Sequence, residues 1–230
     1  MNPRPWTRYY AAGTPLDLPP LAEDHLARFI RAHAAIHAQK PAFSTVLPGG
    51  QTGTLSYQEL DARSDAFAVF LREELGLKAG DRVAIQLPNC LAFPIAAFGV
   101  LKAGLVLVNT NPLYTPSEMV YQFKDSGAKA LIISDLFANK LKQGLASTAV
   151  EHVVTASLAE GFPAFTGAVV RLVMKYVHRR VPKCPVPHWD FSAALAKGSA
   201  RLKQGAALQD YVAGQASSTP AVLQYTGGTT

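Results

Sequence analysis

An α/β fold with a mainly parallel sheet flanked by helices is the architecture this sequence predicts, and three observations predict it. Short, strongly apolar runs, RVAIQL at 82–87, LVLV at 105–108 and ALII at 130–133, lack the wet face of an exposed antiparallel strand. Helix-forming stretches separate these runs, which implies right-handed crossovers between parallel neighbours. The chain is also large enough to sustain such a core: 230 residues, 49% hydrophobic and 17% charged, bury about 70% of their unfolded surface without disulfide or metal staples. That composition excludes disorder and a fibrous repeat.

Each element has its own local reason. Residues 21–38 place Leu26, Phe29, Ile30 and Ala34 on one helical face behind Asp24 as a cap. Runs 42–47 and 53–57 flank the turn-rich PGGQTG and read as a β-hairpin. Ser56 and Glu59 form a capping box, and Leu60, Phe67, Phe70, Leu71 and Leu75 then follow on a stripe until Gly76 stops the helix. The strand at 82–87 leads to an apolar helix at 91–102, and the strand at 105–108 to a helix opened by Thr115, Pro116 and Glu118 and closed by Gly127. After the strand at 130–133, Asp135 is positioned to cap a helix reaching about Leu145, and His152 to Thr155 starts the next strand. Beyond Ser157 the alternation breaks. Prolines 182, 185 and 187 mark an irregular connection before a short helix at 193–203, and AVLQY at 221–225 is a final strand. The organisation expected is therefore a helix and hairpin at 1–57, an alternating core at 58–157, an irregular basic region at 158–220, and a strand with a phosphate loop at 221–230.

Cys90 and Cys184 form no CxxC pair or disulfide framework, which suits a reducing cytoplasm. The amino terminus does not read as a signal peptide. The apolar run from Cys90 to Leu101 falls short of the roughly 20 residues a membrane span needs. Net charge is +6, but it is local: between Gly161 and Gly205 eight basic residues face Asp190 alone. Within that stretch Val169–Arg180 reads as an amphipathic helix, with Arg171, Lys175 and Arg179 opposite a broad apolar arc. Two readings fit: contact with an anionic membrane surface, or a core-covering helix with a solvated basic face. Nucleic acid is not expected as a partner, since no helix-turn-helix, zinc spacing or aromatic platform accompanies the charge. His33 and His37 stand four apart without a third ligand, and no G-x-S-x-G elbow is present, so no metal site and no serine nucleophile are expected.

The last residues carry the most chemistry. A strand feeding into Thr226-Gly227-Gly228-Thr229-Thr230 has glycines that let backbone N–H groups converge on an anion and hydroxyls that add donors. LQYTGGTT resembles the start of the AMP-binding motif Y-T-S-G-T-T-G-x-x-K-G of the acyl-adenylate-forming enzymes, with Gly227 where serine is commoner. The stretch from Leu87 to Met119, including Asn111-Pro112-Leu113-Tyr114-Thr115, resembles the bacterial long-chain fatty-acid–CoA ligases, as do GLKAGDRVAIQLPN and VVRLVMKYVHRRVPK.

That resemblance implies part of the amino-terminal domain of an adenylate-forming ligase. It implies ATP, Mg2+ and CoA as co-reactants and cofactor, and a fatty acid as substrate. Tyr225, Thr226, Gly227, Gly228, Thr229 and Thr230 would be the ATP phosphate-binding residues. The rest of the loop, the Mg2+ ligand and the catalytic lysine of the family would lie past Thr230, so no catalytic residue is expected among these 230 and the chain is expected to be inactive alone. Two alternatives stay open: a non-catalytic module for acyl chains, membranes or homodimerisation through unpaired sheet edges, and a ligase for a fatty-acid-type signal molecule. The location implied is cytoplasmic, peripheral on the inner face of the cytoplasmic membrane if the basic helix meets lipid.

Overall fold

The computed structural model describes residues 4–18, 23, 25–47, 49–177, 180–213, 215 and 218–226. The first long helix, α1 (Leu26–Ile36), is capped by His25, whose Nδ1 accepts from the Ala27 N–H at 3.1 Å; the expected cap, Asp24, lies outside the described residues. Its buried side is narrower than the apolar pattern predicts. Ala27 and Ala34 are buried, whereas Leu26 and Phe29 are 47% and 49% exposed, because small side chains let α1 lie close to its neighbours and leave the larger ones at the rim.

The hairpin forms as expected from β1 (Pro41–Val46) and β2 (Thr52–Ser56), antiparallel, with Val46 opposite Thr52. Ser56 then opens α2 (Tyr57–Val69) with a full capping box: its Oγ accepts from the Glu59 N–H, and Glu59 accepts from the Ser56 N–H at 2.9 Å. The Ser56 N–H holds the Glu59 carboxyl below its ordinary value. One π turn, Phe70–Glu74, carries the helix on until Gly76, whose φ of +68° a side chain would resist.

The strands and helices that follow are β3 (Arg82–Gln86), α3 (Ala92–Lys102), β4 (Val106–Asn109), α4 (Pro116–Ser126), β5 (Ala128–Ser134), β6 (His152–Ala156), α5 (Ala164–Leu172), β7 (Trp189–Asp190), α6 (Phe191–Lys203) and β8 (Val222–Gln224). The six strands from β3 onward make one parallel sheet in the order β7-β6-β5-β3-β4-β8. Successive residues of each central strand feed opposite layers. Val83, Ile85, Ala130 and Ile132 join Phe67, Phe70, Ile95 and Phe191 from the helical layer of α2, α3 and α6. Ala84, Leu131 and Ile133 join Val108, Met119 and Phe123 on the α4 side. Burial on both faces is why these strands are continuously apolar. Both edges are short, two residues at β7 and three at β8, which leaves little backbone for pairing with a second copy.

Three expectations are corrected. The stretch after β5 is a run of 3-10 turns, Asp135–Lys142, and its cap is Ser134, whose Oγ accepts from the Leu136 N–H, not Asp135. Alternation does not end at Ser157: β7 adds a sixth strand beside β6, and Asp190 caps α6 by accepting from the Ser192 and Ala193 N–H groups. A two-residue strand has no periodicity to read. The basic amphipathic helix begins at Ala164 rather than Val169 and passes into a π turn, Val173–Val177. Among the described residues no helix is long and apolar enough to cross a membrane. Both cysteines are free; Cys90 is buried in the core and Cys184 is half-buried.

Candidate functional site

Because every strand of the large sheet is parallel, all six carboxyl ends meet one rim. The chain leaves β3 toward β4 on one side, while β5, on the other side of β3, sends the chain away to β6. Such a reversal opens a crevice at the strand ends, where open α/β sheets bind ligands. The rim is polar and buried: Gln86, Thr110, Gln122 and Ser134 are each no more than 2% exposed. Gln86 donates through Nε2 to the Asn111 carbonyl at 3.1 Å, and Gln122 to the Asn109 carbonyl at 3.0 Å. Their Oε1 atoms accept no hydrogen bond from the described residues.

Beside them the loop from Asn111 to Thr115 is held from beneath by Lys140, whose Nζ donates to the Tyr114 carbonyl at 2.7 Å and the Pro112 carbonyl at 3.3 Å. Desolvation lowers the Lys140 pKa. The same loop enters α4 through the Thr115–Glu118 capping box. Sequence reading singled out the loop but not the lysine, since a lysine 26 residues beyond Tyr114 gives no local signal that it will turn inward.

β8 brings Tyr225 and Thr226, the first two of the predicted phosphate residues, to this rim next to β4, with the Asn109 amide donating to Gln224 Oε1 at 3.0 Å. The Tyr225 hydroxyl turns back to donate to the Asp125 carboxylate on α4; burial first, and that bond second, push its pKa up to about 12. Tyr225 is thus an anchor for the strand end. Thr226 follows and is exposed. Gly227, Gly228, Thr229 and Thr230 lie outside the described residues. A phosphate needs donors, and the two orphan amide oxygens are acceptors; among the described residues the fit to a nucleotide therefore rests on Thr226. No group of three His, Cys, Asp or Glu side chains gathers to hold a metal ion among the described residues.

The basic residues of α5 part company. Arg171 Nη2 lies 2.6 Å from Glu160 Oε1, and that carboxylate is buried. Arg171 is therefore a fastener of α5 and not part of a free basic stripe. Lys175 stays exposed, its Nζ 5.4 Å from the Tyr176 ring centroid, and Arg179 lies outside the described residues.

Sequence reading also missed an acidic group at the carboxyl ends of β5, β6 and β7. Burial pushes the Asp135 carboxyl up to about 6 and raises Glu160, with Asp190 adding like charge to both and Arg171 opposing. The sign of the consequence is fixed. The folded chain keeps the Asp135 proton to about pH 6, whereas the unfolded chain releases it near 4, so stability falls as pH rises through that window. Asp135→Asn is expected to raise Tm near pH 8 and to lose most of that gain near pH 4. Thermal melts of both chains across pH check it; an Asn variant less stable at pH 8 contradicts it.

A family model described as AMP-binding enzyme matches residues 30–230. The chain is 39% identical over 225 residues to the long-chain-fatty-acid–CoA ligase of Salmonella typhimurium, covering 98% of this chain and 38% of that protein. It is 40% identical over 227 residues to the ligase of the same name from Yersinia pestis, with the same coverage. The chain thus spans 38% of the length of these curated relatives. Among solved structures, a benzoate CoA ligase from Burkholderia xenovorans is 30% identical with a TM-score of 0.50, covering 57% of this chain and 25% of that one. A putative long-chain-fatty-acid CoA ligase from Rhodopseudomonas palustris covers 90% of this chain and 40% of that one at a TM-score of 0.56 and 19% identity, a likeness of fold alone.

Proposed function

The chain belongs to the AMP-binding enzyme family, and we propose that it forms the first part of an enzyme that joins a long-chain fatty acid to CoA at the expense of ATP. The observation that carries this reading is the 39–40% identity to ligases of that name along 98% of the chain. A carboxylate is a poor electrophile, because its carbon carries no good leaving group. In the proposed first step a carboxylate oxygen bonds to the α-phosphorus of ATP and the bond to the bridging oxygen of pyrophosphate breaks, giving acyl-AMP. In the second, the thiol sulfur of CoA bonds to the acyl carbon, the thiol proton is lost and AMP leaves.

The residues of this chain contribute placement. Asp125 anchors Tyr225, Asn109 ties down Gln224, and the Thr226 hydroxyl follows at the strand end. Donors fixed in that way act on charge developing at phosphorus without reorganising. The test is fatty-acid-dependent ATP–pyrophosphate exchange with palmitate, on the 230-residue chain and on a protein extended to the length of the relatives. Exchange is expected in the longer protein, with Thr226→Val lowering kcat/KM for ATP roughly tenfold or more. No exchange by the longer protein with any fatty acid overturns the reading.

A second reading concerns where the enzyme works. Phe165, Leu172, Tyr176 and Val177 are 82%, 56%, 64% and 71% exposed around Lys175, an arrangement that suits the headgroup layer of an anionic membrane on its cytoplasmic side. Retention on phosphatidylglycerol vesicles, lost at about 0.5 M salt where screening is short-ranged, is the expected result. Equal retention on phosphatidylcholine vesicles, or none on either, counts against it.

A further inference from the structure

The hairpin turn, the turn after β5, the loop after β6 and the α5 segment enclose a cleft of about 560 Å³, within the roughly 300–1,000 Å³ of small-molecule sites. Leu136, Leu158, Val169, Val170, Val173 and Met174 supply its walls. Their spacing on α5 is helical, so one face of that helix is committed to the cleft. The opposite side is seated on the turn before it: a Cβ on Gly167 would stand 3.4 Å from the Ala159 carbonyl oxygen, and Arg171 grips Glu160. The wall is thereby held in place by an ion pair to a buried carboxylate, independently of anything in the cleft. Among the described residues that line it Arg180 alone is charged, and no described carboxylate pairs with it. An apolar slot with one exposed cation matches an aliphatic chain ending in an anion.

We propose that this cleft binds a single long-chain fatty acid, its alkyl chain along α5 and its carboxylate at Arg180. It is a second site. β5 and β8 are separated by three strand spacings, roughly 14 Å in the plane of the sheet, so the cleft is set apart from the end of β8. The choice of a carboxylate over a phosphate head rests on the ligase reading above; the chain-binding slot does not.

The experiment is displacement of cis-parinaric acid fluorescence from the 230-residue chain by palmitate, methyl palmitate and lysophosphatidic acid. One equivalent of palmitate is expected to bind. Val170→Trp, which fills the slot, lowers that affinity at least about tenfold, and Arg180→Gln weakens palmitate up to about fivefold while leaving the methyl ester unchanged. On the unmodified chain, a fatty acid with a terminal diazirine is expected to label the residues that line the cleft, in the hairpin turn, at Leu136 and Leu158 or along the α5 segment. Undiminished binding by a Val170→Trp chain with native near-UV circular dichroism, or label elsewhere, overturns the cleft. Equal affinity for acid and ester, or stronger binding of lysophosphatidic acid, overturns the carboxylate assignment. Failure of pyrophosphate exchange alters none of these readouts, so the two proposals fail separately.

Discussion

Replacing Lys102 with methionine is expected to destabilise the chain by about 3 kcal/mol, the low end of the roughly 3–5 kcal/mol cost of breaking a buried ion pair from one side. Lys102 closes α3 at 2% exposure. Its ammonium donates to the Asp61 carbonyl at 3.0 Å, to Asp61 Oδ1 at 2.5 Å and to Asp65 Oδ1 at 2.7 Å, so all three protons are used. Asp65 also takes Arg31 of α1 at 3.2 Å, and the cluster therefore fastens α1, α2 and α3 together. Methionine keeps the packing of the stem and removes only the charge. Two carboxylates one helical turn apart on α2 are then left facing each other, a repulsive arrangement. The low end applies because the aspartates retain 25% and 22% of their side-chain exposure and water screens part of the loss. Urea unfolding measures it, as a fall in the midpoint at unchanged slope. Asp61→Asn added to Lys102→Met is expected to recover part of the loss. A single-variant change under about 1 kcal/mol would mean the pair behaves as a surface bridge.

That cluster marks where sequence reading stopped. The two capping boxes, the glycine stop at Gly127 and the apolar strands were legible because each signal lies within a few residues of its effect. Lys102 carries none: it reads as a solvated lysine at a helix end until Asp61 and Asp65 arrive from a helix some forty residues earlier. Arg171 misled for the same reason. The four-residue steps from Arg171 to Lys175 to Arg179 spelled a free basic face, and only the fold brings Glu160 beneath Arg171. β7 was unreadable because two residues cannot show a period. At the candidate site the order strand, Thr226, glycines is legible locally, and the fold adds Lys140, Asp125 and Asn109 as the groups that fix the loop before α4 and the end of β8. None of those three is close in sequence to what it holds.

The clearest case of long-range packing overruling local preference is Gly198, and it carries the other large expected effect. In an isolated helix Gly→Ala is worth about 1 kcal/mol of stability. In α6 the same change places a Cβ 1.8 Å from the carbonyl oxygen of Ala66 and 2.6 Å from its carbon, both backbone of α2. No rotamer relieves a clash with backbone. α6 has to move away from α2, and that movement opens the contact of Phe191 with Phe67, whose ring centroids are 4.9 Å apart and which are both fully buried. Overpacking costs about 1–3 kcal/mol by itself, and loosening two buried aromatics adds to it; the net loss expected is about 3 kcal/mol or more. Ala200, exposed on the same helix, gives the comparison: Ala200→Gly is expected to cost only the propensity difference of about 1 kcal/mol. Chemical denaturation of both variants decides the matter. A Gly198→Ala chain as stable as the parent would mean that α6 does not approach α2 through this glycine. The layer of α2, α3 and α6 would then be packed differently from the one described.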